Sequence, residues 1–384
     1  MQTVYLDNNA TTAVAPEVRE AILPYLGELY GNPSSMHSFG GRVGQAVETA
    51  RESVAALLGA APEEIVFTSC GSEGDNAAIW SALQTQPEKR HIITTRVEHP
   101  AVLNVVQFWE RQGYRVTLLG VDDKGRLDLE AYAAALSEDT ALVSVMFANN
   151  EVGNIYPIQR MAEMARERGV LFHTDAVQAV GKCPIDLGKL PVDMLSLSGH
   201  KLHAPKGIGA LYVRRGLRFR PLLRGGHQEG GRRAGTENVP YIAGLGVAAQ
   251  LAAAHVEDER VRVAAMRDRL EQGLLARIPQ TMINGDPENR LPNTTNLAFK
   301  NVEGEAILLM LDRLGICASS GSACTSGSLE PSHVLRAMGV PFTYAHGSVR
   351  LSLSRYTTDA EVDYVLEHFP KVIETLRALS PFKD

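Results

Sequence analysis

Cysteine is scarce in this chain: Cys70, Cys183, Cys317 and Cys324 are the only four in 384 residues. No two form a C-x-x-C pair, and they make no disulfide framework. That usage suits a reducing compartment. A charge excess of one sign is also lacking. Lysine and arginine number 38 against 44 acidic residues, for a formal charge of -6, and no basic run occurs. This excludes the electrostatic footprint of a nucleic-acid or anionic-membrane binder. The longest weakly polar stretch, "YIAGLGVAAQLAAAHV", is interrupted by Gln250 and is too short and alanine-rich to span a bilayer. The opening "MQTVYLDNNATT" has no basic segment followed by an apolar core, so no secretory signal is expected. The expectation is a cytoplasmic protein with no nucleic-acid and no membrane partner.

What is present is ordinary globular material, 45% hydrophobic and 21% charged. The length suits roughly two or three domains. Pro16 sits where a first helical turn tolerates it, and Val18, Ala21, Ile22, Tyr25, Leu26 and Leu29 follow at helical spacing. A second helical pattern from Val43 to Leu58 meets a natural stop at Gly59. Beyond it, short apolar, β-branched-rich runs ("EIVFT", "HIITT", "ALVSVMF", "VLFHT", "IGALYV") and the apolar "MLSLS" alternate with helical patterns. That alternation predicts an α/β fold with a mainly parallel sheet. Near "EDERVRVAAMRDRLEQGLLARI" the pattern becomes a long charged helix, and a second, smaller α/β region follows. The predicted boundary lies close to residue 257.

The segments after the strands are polar: "SCGSEGDN", "RVEHP", "ANNEVG", "DAVQ" and "GHKLH". In open α/β sheets ligands bind beyond the carboxyl ends of the strands, so these segments are expected to converge on one cleft. Lys201, flanked by the phosphate-type donors Ser198 and His200, is a candidate for a Schiff base with a carbonyl. A solvated loop lysine is the plainer alternative. His200 and His203 are three apart but lack a third ligand at zinc-like spacing, so metal is the weaker reading. Asp175 at a strand end is either a helix cap or the carboxylate that a pyridoxal ring nitrogen requires. Gly71 and Ser72 open a helix whose N–H groups suit an anion, although a plain capped turn reads the same way. His99, Asn150 and Arg350 are each unremarkable alone, while a guanidinium such as Arg350 grips a substrate carboxylate well. Cys324 stands in "ASSGSACTSGS", a run of small polar residues with nothing to bury a thiol.

Taken together, "YLDNNATT", "GNPSSMHSFG", "VEHPAV", "ANNEVG", "HTDAVQAVGK", "SLSGHKLHAPKG", "GGHQEGGRRAGTEN" and "SSGSACTSG" resemble the cysteine desulfurases, most closely those of the nitrogen-fixation (NifS) type. The resemblance implies an aminotransferase-like fold type I homodimer. Its large pyridoxal-phosphate domain would span 12–257, and its small domain would be built from 1–11 and 258–384. The implied reaction converts L-cysteine to L-alanine, leaves the sulfur on Cys324 as a persulfide, and supplies an iron–sulfur scaffold protein, with nitrogenase the expected beneficiary.

The resemblance also implies a role for each matching residue. Lys201 would carry pyridoxal 5'-phosphate, Asp175 would pair with its ring nitrogen, Gln178 would hydrogen-bond its phenolic oxygen, and His99 would stack on the ring and shuttle protons. Gly71, Ser72, Ser198, His200 and the partner subunit's Thr236 would hold the phosphate. Asn150 would contact cofactor or substrate, and Arg350 the substrate carboxylate. No structural metal is expected, and any iron–sulfur contact at Cys324 would be transient. Selenocysteine lysis or transamination on the same fold is the alternative enzyme. A non-enzymatic sulfur carrier fits poorly, because four scattered cysteines do not make a cluster scaffold.

Overall fold

The computed structural model describes residues 3–320 and 331–380. Its strands in chain order are β1 (Val4–Tyr5), β2 (Ile65–Thr68), β3 (His91–Thr95), β4 (Arg115–Leu119), β5 (Thr140–Ser144), β6 (Leu171–Asp175), β7 (Met194–Ser198), β8 (Gly209–Val213), β9 (Thr281–Ile283), β10 (Thr294–Phe299), β11 (Ile316–Cys317), β12 (Ser319–Ser320) and β13 (Ser348–Ser352). Seven of them form one sheet in the order β2-β8-β7-β6-β5-β3-β4. The pairs from β7 through β6, β5 and β3 to β4 are parallel, and β8 runs antiparallel to both neighbours. The mainly parallel sheet is therefore present, with one reversed strand.

Chain length explains the reversal. Only the turn Gly199–Lys201 and a short loop separate β7 from β8, and a parallel crossover needs about a dozen residues or more. The sequence reading also passed over β4. This edge strand leaves Arg115 and Leu118 exposed, so its pattern lacks the continuous apolar run of the buried strands.

Helices cover both faces of the large sheet. One face packs Val43, Val47, Val54 and Leu245 against Ile65, Phe67 and Leu195, and the other packs Ile79, Leu83, Val102 and Val106 against Val66, Ile92 and Leu142. The helix Ser38–Leu58 ends as expected at Gly59, whose φ of 65° gives the left-handed cap. The apolar stretch after residue 240 lies in the helix Val239–Asp258, packed on Pro16–Leu26 and Ser38–Leu58. Gly246 makes that packing possible, since a Cβ there would fall 2.6 Å from Ala50 Cα.

The same helix continues through a π-helical turn, Glu259–Val263, into Ala264–Arg277 and so enters a second hydrophobic cluster. There β12-β13-β10-β9 form an antiparallel sheet. Strand alternation divides its residues. Leu297, Phe299, Val349 and Leu351 join Leu270, Leu311 and Phe369 in the cluster, whereas Asn296 and Arg350, paired across β10 and β13, reach the large sheet. Asn296 Nδ2 donates to Glu151 O at 3.1 Å and Arg350 Nη1 to Asn150 O at 2.9 Å.

Candidate active site

Segments beyond the carboxyl ends of β2, β3, β5, β6 and β7 meet over a cavity of about 420 Å³. It is lined by Gly71, Ser72, His99, Asn150, Asp175, Gln178, Ser198, His200, Lys201 and Arg350, so all but two of the expected site residues converge here. Thr236 is exposed and outside this lining. Cys324 lies outside the described residues.

At one end the helix Gly71–Thr85 begins with no side chain capping its first turn. Its leading N–H groups and the exposed Ser72 hydroxyl are therefore available to an anion. Gly71 is required by contact rather than by its dihedral angles, because a Cβ would come within 2.6 Å of Val177 Cγ2. Ser198 and His200 stand beside this turn, and His200 Nδ1 lies 3.1 Å from Thr11 Oγ1. Burial, with Lys201, Lys206 and Lys182 nearby, lowers the His200 pKa to about 4. His203 bonds separately to Ala13 O at 2.9 Å, so the two histidines serve different partners.

Asp175, the last residue of β6, also lines the cavity, buried and accepting from Val177 N at 2.9 Å. Burial raises its pKa, an effect that His99 and Lys201 partly offset. Two further carboxyls sit beside it. Asp75 is raised well above the ordinary range by burial and by Asp175, and its Oδ1 has no hydrogen-bond partner. Glu98 is pushed up to about 8 by burial. A cationic ring N–H placed here would supply the charge that this acidic pocket lacks.

Lys201 reaches in from the turn after β7. Its Nζ donates to the carbonyl oxygens of Asn9 and Ala10, the latter at 2.7 Å. Burial, aided by Lys182 and Arg350, lowers its pKa to about 7, so near neutrality much of it is a free amine able to attack a carbonyl. His99 caps the helix Pro100–Arg111, with Nδ1 accepting from Ala101 N at 3.1 Å. In the neutral ring that bond leaves the proton on Nε2. Enclosure lowers the His99 pKa, although the ring is open to the cavity. Arg350 enters from β13, holding Asp7 Oδ1 at 2.7 Å as well as Asn150 O. Its buried Nε has no partner.

A pattern for class-V aminotransferases matches residues 4–365 of the chain. This chain belongs to that family. The class-V aminotransferase family comprises pyridoxal phosphate-dependent enzymes, and the cavity fits the cofactor on its own chemistry: an uncapped helix start for the phosphate, a depressed-pKa lysine for the aldehyde, and a buried carboxylate for the ring nitrogen. Among curated relatives, "Cysteine desulfurase" of Trichormus azollae is 66% identical over 384 residues, covering 100% of this chain and 96% of its own. "Cysteine desulfurase NifS" of Azotobacter vinelandii is 61% identical over 383 residues, covering 100% and 95%. Among solved structures, a "NIFS-like protein" superposes with a TM-score of 0.92 at 40% identity, covering 98% of this chain and 100% of its own. One titled "SspA in complex with cysteine" gives 0.83 at 36%, covering 93% and 100%.

Several lining or supporting residues escaped the sequence reading: Asn9 and Ala10, Asp7, Asp75, Glu151 and Lys182. "DNNATT" advertised a polar segment directly after a strand, which was a usable signal for the first three. Glu151 was readable only as part of the turn "ANNEVG". In the structure it is buried, pushed up to about 7, and bonded to Ser332 Oγ.

Proposed function

We propose that this protein is a cysteine desulfurase acting on L-cysteine, with the nitrogen-fixation type of iron–sulfur assembly as its setting. The observation that carries the reading is one cavity joining a free-amine lysine, Lys201, and a buried carboxylate, Asp175, with a guanidinium, Arg350, delivered from the other sheet. Pyridoxal phosphate bound here supplies an electron sink for the charge left when the substrate loses its α-proton. Lys201 would hold it, Asp175 would keep its ring nitrogen protonated, and Gln178 would donate to its phenolic oxygen. Gly71, Ser72, Ser198 and His200 hold the phosphate, joined by the partner subunit's Thr236 in a homodimer; exposure of this chain's Thr236 outside its own cavity supports that role.

Arg350 would orient the substrate carboxylate, with Asn150 beside it, and Nε2 of His99, open to the cavity, would move protons to and from the substrate. The Cys324 thiolate attacks the substrate sulfur. A sulfur–sulfur bond forms as the carbon–sulfur bond breaks, the carbon skeleton takes up a proton and leaves as alanine, and the persulfide sulfur passes to an iron–sulfur scaffold protein. The division into a large domain (12–257) and a small one (1–11 with 258–384) belongs to the same reading. The test is to mix the purified protein with one equivalent of L-cysteine, measure alanine, and map added sulfur by mass spectrometry. Alanine with one extra sulfur on the Cys324 peptide is expected. Alanine formed at the parent rate by Cys324→Ala would overturn the assignment.

A further inference from the structure

Behind Gln178 lies a second lysine that the reaction does not use. Lys182 is buried, and its Nζ donates to both oxygens of Gln178, Oε1 at 3.1 Å and the backbone O at 3.2 Å. Gln178 is itself buried, and its Nε2 donates to Asn9 O at 2.9 Å, the carbonyl that Lys201 also uses. An amide has one acceptor end and one donor end. With Lys182 occupying the acceptor, the donor must face the cavity. An ammonium can only donate, so the flipped amide would set donor against donor in a buried place and leave the cavity lined by an oxygen.

We infer that Lys182 is a positioning residue that fixes the Gln178 amide with its N–H toward the cavity and, as a buried positive charge, favours the uncharged amine of Lys201. This rests on the reading of the cavity as a pyridoxal phosphate site, where a donor at Gln178 meets an oxyanion and an acceptor would repel it. Among the described residues, Lys182 shares a small cavity with Lys201, His203, Glu259 and Arg355, and Cys183, Arg350 and His200 also couple to it electrostatically. Glu259 is the one carboxylate among them. It sits buried in the π-helical turn with Oε2 unpartnered, a placement that helps Lys182 remain charged. Lys182 and Lys201 line one small cavity and are joined through Gln178 and Asn9 O, which brings the two positive charges together and helps hold the Lys201 pKa down.

Lys182→Met and Lys182→Arg test the idea with two readouts on the full chain. The first is the pH midpoint of the visible band of the cofactor-loaded enzyme. The second, after cofactor removal, is the pH midpoint for acetylation of Lys201 by acetic anhydride, followed by peptide mass spectrometry. In Lys182→Met both midpoints should rise by ~1 pH unit, while Lys182→Arg keeps both near the parent value. If Lys182→Met does not fold, Lys182→Gln takes its place with the same expectation. An unchanged Lys201 acetylation midpoint in the uncharged variant overturns the inference. Absence of any visible band in the parent, with the acetylation shift intact, would instead overturn the pyridoxal reading and leave the electrostatic role of Lys182 standing.

Discussion

Two groups of ionisable residues at the reaction cavity are buried with opposite effect. Around Asp175, burial raises Asp75, Asp175 and Glu98 toward neutral acids; around Lys201, burial lowers that lysine to about 7, while Lys182 behind it, at about 8, stays largely an ammonium near neutrality. One physical cause, loss of water around a charge, acts on both. The difference teaches what each group is built to receive. The acidic group accommodates a cation, and the basic group presents a nucleophilic amine.

The comparison breaks most completely at Lys201. Lys201→Ala should lower alanine formation by at least ~1,000-fold and abolish the covalently attached cofactor, checked by alanine assay and borohydride reduction. Asp175→Asn comes next. Removing one member of a buried ion pair costs about 3–5 kcal/mol, so a loss of ~150- to 5,000-fold in turnover is expected by steady-state assay, with cofactor still bound. Arg350→Lys keeps the charge but loses the two-pronged grip, and should raise KM for L-cysteine by ~10- to 100-fold with a smaller change in kcat.

A pH series sharpens the same contrast. Below about 7 Lys201 is an ammonium without a lone pair, and above it the amine is free. The rate at which cofactor-free protein takes up pyridoxal phosphate should therefore rise with pH through about 7 and level off above it, followed by stopped-flow absorbance. A rate still climbing toward the ordinary lysine range would show that Lys201 is not desolvated. The smallest effect is expected for Ser72→Ala, which removes one hydroxyl from the phosphate end and should weaken cofactor affinity by ~2- to 10-fold in equilibrium titration.

Much of the fold was legible because burial and repetition leave local traces. Six of the seven strands of the large sheet appeared as short apolar runs, and Gly59 announced its helix end. β4 escaped because half-exposed edge strands need no continuous apolar run, and the direction of β8 is a property of loop length rather than of the strand itself. Among site residues, Asp175 stood at the end of a recognisable strand, and Lys201 and His99 within a few residues of one. Lys182 and Asp75 did not stand out, since a lysine or aspartate within a helical or turn segment is ordinarily solvated. Only packing removes that water.

By itself, the sequence determined the order of strands and polar loops and the chemical kinds of side chain at each loop, because hydrogen-bonding capacity and apolar periodicity are local properties. Tertiary structure alone decided which of those side chains are ionised and what they face. Arg350 meets Asn150 across 200 positions of chain and Lys201 meets Asn9 across 192. The pKa of each depends on solvent exclusion and on neighbouring charge, which exist only when distant segments are brought together.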